Sequence, residues 1–269
     1  MHNPDLHADL ILAIQSGDNS VVKSILDIGC DQVALDSALC WASRYGNIEV
    51  VQSLLLNGAN PNARVWGGFT PLLWAAMFSP NVNLLSVLIE AGSNVNCFSN
   101  KRRQTPLHAA AIRGDNLMTS MLLESGANVD AQDYMYKTPL LHAVLKNIPS
   151  CVKILLHHNC NVNMSGWFNG TSVSPLIQSL IQNQLETTKM LILAGAKFSK
   201  EAIYQTYTIN QYYHTAESFH FDVRPVFLQQ QCRICIRSLL KPKFIEKLNQ
   251  IPLPTLIKEF LSLEELKYI

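Results

Sequence analysis

The chain has 269 residues, of which 48% are hydrophobic and 15% are charged, and its formal net charge is only +1. This length and apolar content are enough for a substantial core, which excludes disorder throughout, and the balanced charge argues against a dedicated nucleic-acid or acidic-membrane binder. Neither an apolar stretch of about 18 residues nor a secretion-signal pattern is present, so we expect a cytosolic or nuclear protein. Seven scattered cysteines give no indication of a disulfide framework.

A motif of Thr or Ser, then Pro, then Leu recurs through the middle of the chain. It begins at Thr70, Thr105, Thr138 and Ser174, at steps of 35, 33 and 36 residues. The hydroxyl can cap a free backbone N–H group, and Pro suits the first helical position. Each copy therefore predicts the start of a helix.

Each predicted unit contains an Ala-rich first helix and a second helix rich in Leu, Ile and Val. Gly or Asn at the end of a helix supplies a left-handed residue. The residues predicted to close the first helices are Gly17, Gly46, Ser79, Gly114, Asn147 and Asn183. This register gives six repeats over roughly residues 6 to 200, and we place the repeat domain at residues 1–200.

The segment from Thr105 to Ala110 closely resembles the ankyrin signature. The resemblance implies an all-α solenoid whose loops project as hairpin fingers, with fingers and first helices lining a concave face. Only His108 matches the signature His. The finger Gly is kept as Gly68, but later fingers have Arg103, Tyr136 and Ser172 at that position.

Residues 201–223 lose the repeat period and are rich in Tyr, Phe and His. We interpret them as a cap and linker that closes the last repeat, because the end of a solenoid must cover its exposed core. A binding site in this segment is the alternative.

The segment 224–269 begins with a strongly amphipathic pattern. Leu228, Cys232, Cys235 and Leu239 share one helical face, and basic residues occupy the opposite one. The run Ile251-Pro252-Leu253-Pro254 then holds the chain extended before helical periodicity resumes. Three short helices in so few residues make a poor independent core, so this segment needs partners.

The pattern Leu228-x-x-x-Cys232-x-x-x-Ile236 followed by the proline run resembles the suppressor-of-cytokine-signalling (SOCS) box. Together with the upstream repeats, this box makes the chain resemble members of the ankyrin-repeat and SOCS-box family. This resemblance implies an elongin box at about residues 225–240 and a cullin box at about 251–261. Its partners would be elongin C, which brings elongin B, and cullin-5 with its RING-box protein. The implied elongin contacts are Leu228, Cys232, Cys235, Ile236 and Leu239, and the implied cullin contacts are Ile251, Pro252, Leu253 and Pro254.

Cys232-x-x-Cys235 also admits a redox or zinc interpretation. We favour buried, partner-facing thiols, because no strand precedes the predicted helix and no second Cys pair completes a zinc site. Motifs for a phosphate loop, a nucleophile elbow or a metal-binding His pair are absent from the sequence. We therefore predict a non-catalytic protein without a cofactor or metal.

Large aromatic and basic residues occupy predicted finger and groove positions. They are either anchors for a target protein or packing between neighbouring fingers. The candidate target-binding residues are Tyr45, Trp66, Phe78, Phe98, Arg113, Tyr134, Lys146 and Trp167.

The family resemblance implies a substrate receptor of a ubiquitin ligase, which captures a target protein on the ankyrin face for ubiquitination and degradation. The alternative is an ankyrin scaffold or inhibitor that masks its target without degrading it.

Overall fold

The computed structural model describes residues 4–79, 81–168 and 170–197, which contain twelve α-helices arranged as six antiparallel pairs. The inner helices are α1 (Pro4–Ser16), α3 (Gln32–Tyr45), α5 (Pro71–Phe78), α7 (Pro106–Arg113), α9 (Pro139–Leu145) and α11 (Pro175–Ile181). The outer helices are α2 (Asn19–Ile28), α4 (Ile48–Leu56), α6 (Val82–Glu90), α8 (Asn116–Glu124), α10 (Pro149–His157) and α12 (Leu185–Leu193). Each row packs along its own length, so the described residues form a solenoid.

This architecture confirms the predicted all-α fold of six ankyrin repeats. Short elements outside the α-helices lie in the fingers, where Trp66–Gly68 form a 3₁₀ turn and β1 (Gly166–Phe168) pairs antiparallel with β2 (Thr171–Val173). The predicted linker and the predicted SOCS box, at residues 201–269, lie outside the described residues.

The core lies between the two rows of helices. Small inner-row residues such as Ala42 and Ala76 are fully buried, and large outer-row residues such as Leu54 and Leu88 fill the space opposite them. This pairing of small with large side chains lets consecutive repeats stack closely. The core is consequently continuous from repeat to repeat.

The recurring hydroxyls cap the inner helices as the sequence predicts. The Oγ1 atom of Thr70 accepts from the backbone N of Leu73 at 3.3 Å, and Thr138 and Ser174 cap their helices in the same way. In the second repeat, which lacks the motif, the carboxylate of Asp31 accepts from the N of Ala34 at 2.7 Å. Asp31 therefore caps this inner helix in place of the Thr or Ser hydroxyl of the later repeats.

Most of the residues that close the inner helices are left-handed, with Asn147 at φ 55° and Asn183 at φ 54°. Ser79 differs, because its φ of −94° and ψ of 132° are extended. The next residue in the sequence is Pro80, and a proline disfavours helical angles at the residue before it.

Arg103 and Tyr136, which replace the finger glycine, adopt its left-handed conformation with φ of 51° and 57°. Such angles cost a non-glycine residue about 1 kcal/mol or more, so the surrounding finger must hold these residues in place. Ser172 instead belongs to β2, and the fifth finger is a short β-hairpin.

A ladder of side-chain amides joins successive repeats at the base of the fingers. The Asn62 side chain donates to the carbonyl of Gly92 and accepts from the N of Asn94, at 2.9 and 2.7 Å. Asn96 makes the equivalent pair of bonds with Gly126 and Asn128, at 3.1 and 2.7 Å. Each amide therefore fixes the register between two repeats.

We expect Asn96→Ala to lower the free energy of unfolding by about 2 kcal/mol, because it removes two hydrogen bonds. Urea denaturation of the full chain measures this loss. Asn96→Asp is the matched control, since it keeps the acceptor but loses the donor, as Asp130 does for Asn161 in the next repeat. The control should lose about half as much, and equal losses would contradict the two-bond account.

Candidate target-binding surface

Aromatic rings of the second and third repeats form a stacked cluster on the inner helices. Trp41 stacks on Tyr45 and on Trp74, with ring centroids 5.9 and 6.4 Å apart. Trp74 in turn contacts Phe78 at 5.1 Å and the finger residue Phe69 at 4.9 Å. A finger and two inner helices therefore contribute to one aromatic surface.

The repeat period and the helix period together build this cluster. Trp41 and Trp74 lie 33 residues apart, as do Tyr45 and Phe78, so each pair occupies equivalent positions in neighbouring repeats. Within each helix the two rings are four residues apart and therefore share one face. Tyr45 is 51% exposed and Phe78 is 47% exposed, so the outer edge of the cluster is accessible.

Arg44 lies among these rings. Its guanidinium carbon is 5.2 Å from the centroid of Trp41 and 5.0 Å from the centroids of both Trp74 and Phe78. Contacts of this kind are favourable because the cation faces the negative faces of the rings. We call the set Trp41, Arg44, Tyr45, Trp74 and Phe78 the groove cluster.

A second cation–aromatic arrangement surrounds Phe98 in the next finger. The guanidinium groups of Arg64 and Arg103 each lie 5.2 Å from its ring centroid. Arg64 also donates from Nη2 to the backbone oxygen of Phe98 at 2.8 Å. Phe98 is only 37% exposed, so it contributes both to packing between fingers and to the surface.

Backbone hydrogen bonds connect neighbouring fingers. The N of Asn100 donates to the O of Gly67 at 2.9 Å, and the N of Tyr134 donates to the O of Arg102 at 2.8 Å. The N of Trp167 donates to the O of Met135 at 2.7 Å. The fingers therefore present their side chains from a connected row.

The remaining predicted contact residues are distributed along this row and the inner helices. Tyr134 is 69% exposed and Trp167 is 46% exposed, and within the described ranges neither ring stacks on another. The Nη1 of Arg113 donates to the carbonyl of Ser79 at 3.1 Å, and Lys146 is exposed where α9 ends.

The structure thus places Tyr45 and Phe78 in one cluster, with Arg113 bonded beside Phe78 at Ser79. Phe98, Tyr134, Lys146 and Trp167 lie elsewhere along the fingers and inner helices. The backbone of Trp66 lies in the 3₁₀ turn, and its predicted contact stays a prediction. The sequence pattern indicated Arg44 as a groove residue, next to Tyr45, but Trp41 and Trp74 were not predicted. The 33-residue spacing of the two tryptophans was the signal that would have identified them.

Two histidines and an aspartate form a buried polar network below the fingers. The N of Thr105 donates to Nδ1 of His108 at 3.1 Å, so Nε2 carries the proton and faces the carbonyl of Lys137 at 3.0 Å. Nε2 of His142 lies 2.8 Å from Oδ2 of Asp133, and the two imidazoles meet edge to face. The network joins the fourth and fifth inner helices, α7 and α9, to the finger between them.

Burial lowers the pKa of His108 to about 4, because desolvation penalises its charged form. Burial also opposes ionisation of Asp133, but hydrogen bonds from His142 and from the backbone N of Lys137 outweigh it and lower the pKa of this carboxyl. His108 is therefore neutral at physiological pH, and its role in this network is structural.

Burial disfavours ionisation of the cysteine thiols that the structure describes. Burial raises the pKa of Cys40 and of Cys160 to about 12, with a smaller contribution from nearby aspartates. Within the described ranges no group of three His, Cys, Asp or Glu side chains could hold a metal ion. None of the helices in these ranges has the length and apolar character of a membrane-spanning helix. Cys232 and Cys235 lie outside these ranges, so the preference for buried thiols there stays a prediction.

Comparison with protein families identifies both parts of the chain. The family model for ankyrin repeats in three copies matches residues 10–99 and again residues 74–166, and the SOCS-box model matches residues 224–262. The chain belongs to the ankyrin-repeat family, and its C-terminal SOCS box gives it the composition of the ankyrin-repeat and SOCS-box family. This composition supports a role as a substrate adaptor of a ubiquitin ligase.

Individual relatives match only part of this chain. XBAT35 of Arabidopsis thaliana, named as an E3 ubiquitin-protein ligase, is 37% identical over 46% of this chain and 26% of its own length. YahD of Escherichia coli strain K12, named as an ankyrin repeat protein, is 28% identical over 71% of this chain and 98% of its own. The E3 ubiquitin-protein ligase KEG of Arabidopsis thaliana is 45% identical over 32% of this chain and 5% of its own. The chain therefore spans only a small part of XBAT35 and of KEG.

Proposed function

We propose that this protein is the non-catalytic substrate receptor of a cullin-5 ubiquitin ligase. The observation that carries the proposal is the SOCS-box match at residues 224–262, downstream of ankyrin repeats at residues 10–166. The box recruits elongins B and C together with cullin-5 and its RING-box protein. The ankyrin surface holds the target.

The mechanism is proximity. Tethering a target beside a loaded conjugating enzyme raises the effective concentration of its lysines, and the transfer chemistry belongs to other subunits. The exposed edge of the groove cluster and the connected finger row support target capture, because aromatic and Arg side chains are frequent anchors of protein interfaces. The groove cluster combines both kinds of residue.

The cullin box can be tested separately from the elongin box. We expect the double variant Pro252→Ala, Pro254→Ala to lose cullin-5 while it keeps elongins B and C, because freeing an extended run raises the entropic cost of binding. Quantitative mass spectrometry of proteins that co-purify with the tagged full chain measures both. Retention of both partners, or loss of both together, would contradict this division.

Degradation and masking lead to different results for the captured target. If the chain is a ligase receptor, blocking the proteasome or cullin neddylation should raise the abundance of the target in cells that express the intact chain. The proline variant should make target abundance insensitive to either block. An unchanged abundance with the intact chain would instead favour a scaffold or inhibitor that masks its target.

A further inference from the structure

The groove cluster contains hydrogen-bond donors that lack acceptors. Within the described ranges, no hydrogen bond or ion pair reaches the guanidinium of Arg44, although three rings lie within 5.2 Å of it. The indole Nε1 of Trp74 is buried and likewise has no acceptor there. A guanidinium carries five N–H donors in its plane, and contacts with ring faces leave those donors available.

The rings also make Arg44 a stronger anchor for an anion than a free surface arginine. Stacking limits the motion of its side chain, so less conformational entropy is lost when a ligand binds. Neighbouring apolar surface reduces the screening of its charge by water. The geometry therefore favours a negatively charged acceptor at this point.

Charges along the solenoid are segregated in a way that the net charge conceals. The finger and inner-helix stretches 60–79 and 94–114 contain no Asp or Glu. Their cations are Arg64, Lys101, Arg102, Arg103 and Arg113. The outer helices α4, α6 and α8 instead hold Glu49, Glu90 and Glu124. The target side of the third and fourth repeats is therefore basic, whereas the back is weakly acidic.

We propose that the groove cluster binds a target segment in which an Asp or Glu carboxylate lies next to an aromatic or aliphatic side chain. The carboxylate pairs with Arg44, and the apolar neighbour packs on the exposed parts of Tyr45 and Phe78. Basic residues of the adjoining repeats attract the acidic segment from a distance. This inference rests on the proposed function, since it specifies the class of target that the receptor captures.

A single carboxylate fits this position better than a phosphate. Arg64 and Arg103 lie against Phe98 in a different finger, and Arg113 donates to the carbonyl of Ser79. Among the described residues, Arg44 is therefore the one guanidinium that stacks on the rings of the groove cluster. A phosphate group carries up to two negative charges and is commonly recognised by several arginines. One guanidinium matches one carboxylate through two parallel hydrogen bonds.

The test selects random peptides displayed on phage against the immobilised full chain. Selected peptides should be enriched in Asp or Glu beside an apolar residue, and replacing that acidic residue by its amide should weaken binding of the synthetic peptide at least about tenfold, as measured by fluorescence polarisation. Arg44→Met should weaken the same peptide about thirtyfold, since it removes an interface anchor. Methionine retains favourable contacts with the surrounding rings, and a thermal melt checks folding.

Lys153→Met is the matched control, because Lys153 is an exposed cation on the outer helix α10. It should leave the affinity unchanged. Three results would overturn the proposal: selected peptides without acidic residues, equal binding by Arg44→Met, or tighter binding when phosphoserine replaces the acidic residue. Self-association of the chain that Arg44→Met abolishes would also overturn it, since a second copy would then be the occupant.

Co-purification of elongins and cullin-5 with Arg44→Met separates this inference from the proposed function. We expect those partners to be retained, because Arg44 lies in the repeats and far in sequence from the SOCS box. Loss of peptide binding with retained partners supports the inference. If the unaltered chain bound acidic peptides but not elongins, the proposed ligase role would fail while the class of ligand stood.

Discussion

Lowering the pH from about 6.5 to about 4 should destabilise the ankyrin repeats by about 3 kcal/mol through His108 alone. In the unfolded chain this imidazole has its ordinary pKa of 6.5, whereas burial lowers its pKa to about 4 in the folded protein. The unfolded state therefore binds a proton first as the pH falls. The stabilisation is fully present above pH 6.5 and is lost progressively toward pH 4.

Urea denaturation of the full chain at several pH values between 7 and 4 measures this effect. His108→Gln should be less stable than the unaltered chain at pH 7, because His108 bridges Thr105 and the carbonyl of Lys137, but its stability should depend less on pH. His157→Gln is the control, since His157 is exposed at the end of α10. Equal pH dependence in the unaltered chain and in His108→Gln would refute the assignment to His108.

The repeat architecture could be predicted because its signals are local. A hydroxyl before Pro sets the start of an inner helix at Thr70 and at Thr138, and both residues cap as expected. Asn147 and Asn183 close their helices in the left-handed conformation that a glycine would adopt. Capping and closing depend on backbone groups within a few residues, so the sequence contains the information directly.

Contacts between repeats were harder to predict, because they join residues about 30 positions apart. The bond from Asn96 to Gly126 and the stacking of Trp41 on Trp74 both depend on how two repeats align in space. The predicted groove residues Tyr45 and Phe78 lie at the ends of their inner helices. Trp41 and Trp74 lie one turn earlier, where their large rings still reach the exposed edge of the cluster.

Two departures from the common repeat geometry, at Ser79 and in the fifth finger, have identifiable physical causes. Ser79 is extended where other closing residues are left-handed, and the proline at position 80 accounts for the difference. The fifth finger forms a β-hairpin in which Gly166 lies so close to Lys137 that an added Cβ would meet its Cα at 2.8 Å. This close approach between fingers cannot be inferred from one repeat alone.

Leu228→Ser should weaken binding of elongins B and C about ten- to a hundredfold. In the proposed complex this side chain fills the main pocket of elongin C, and burying a Leu contributes roughly 1.5 to 3 kcal/mol. Cys232→Ser should add to the loss, because both residues lie on the apolar face of the sequence pattern. Titration of the purified full chain with elongin B and C, followed by calorimetry, measures the affinity.

Arg233→Ser is the matched control, since Arg233 lies on the opposite face of the same sequence pattern. It should bind elongins as the unaltered chain does, because it leaves the apolar face intact. We also expect the unaltered chain to be poorly soluble without elongins, since its apolar face would then lie in water. A monodisperse, elongin-free chain, together with unchanged affinity in the Leu228→Ser, Cys232→Ser double variant, would show that this face of the SOCS box does not recruit the ligase.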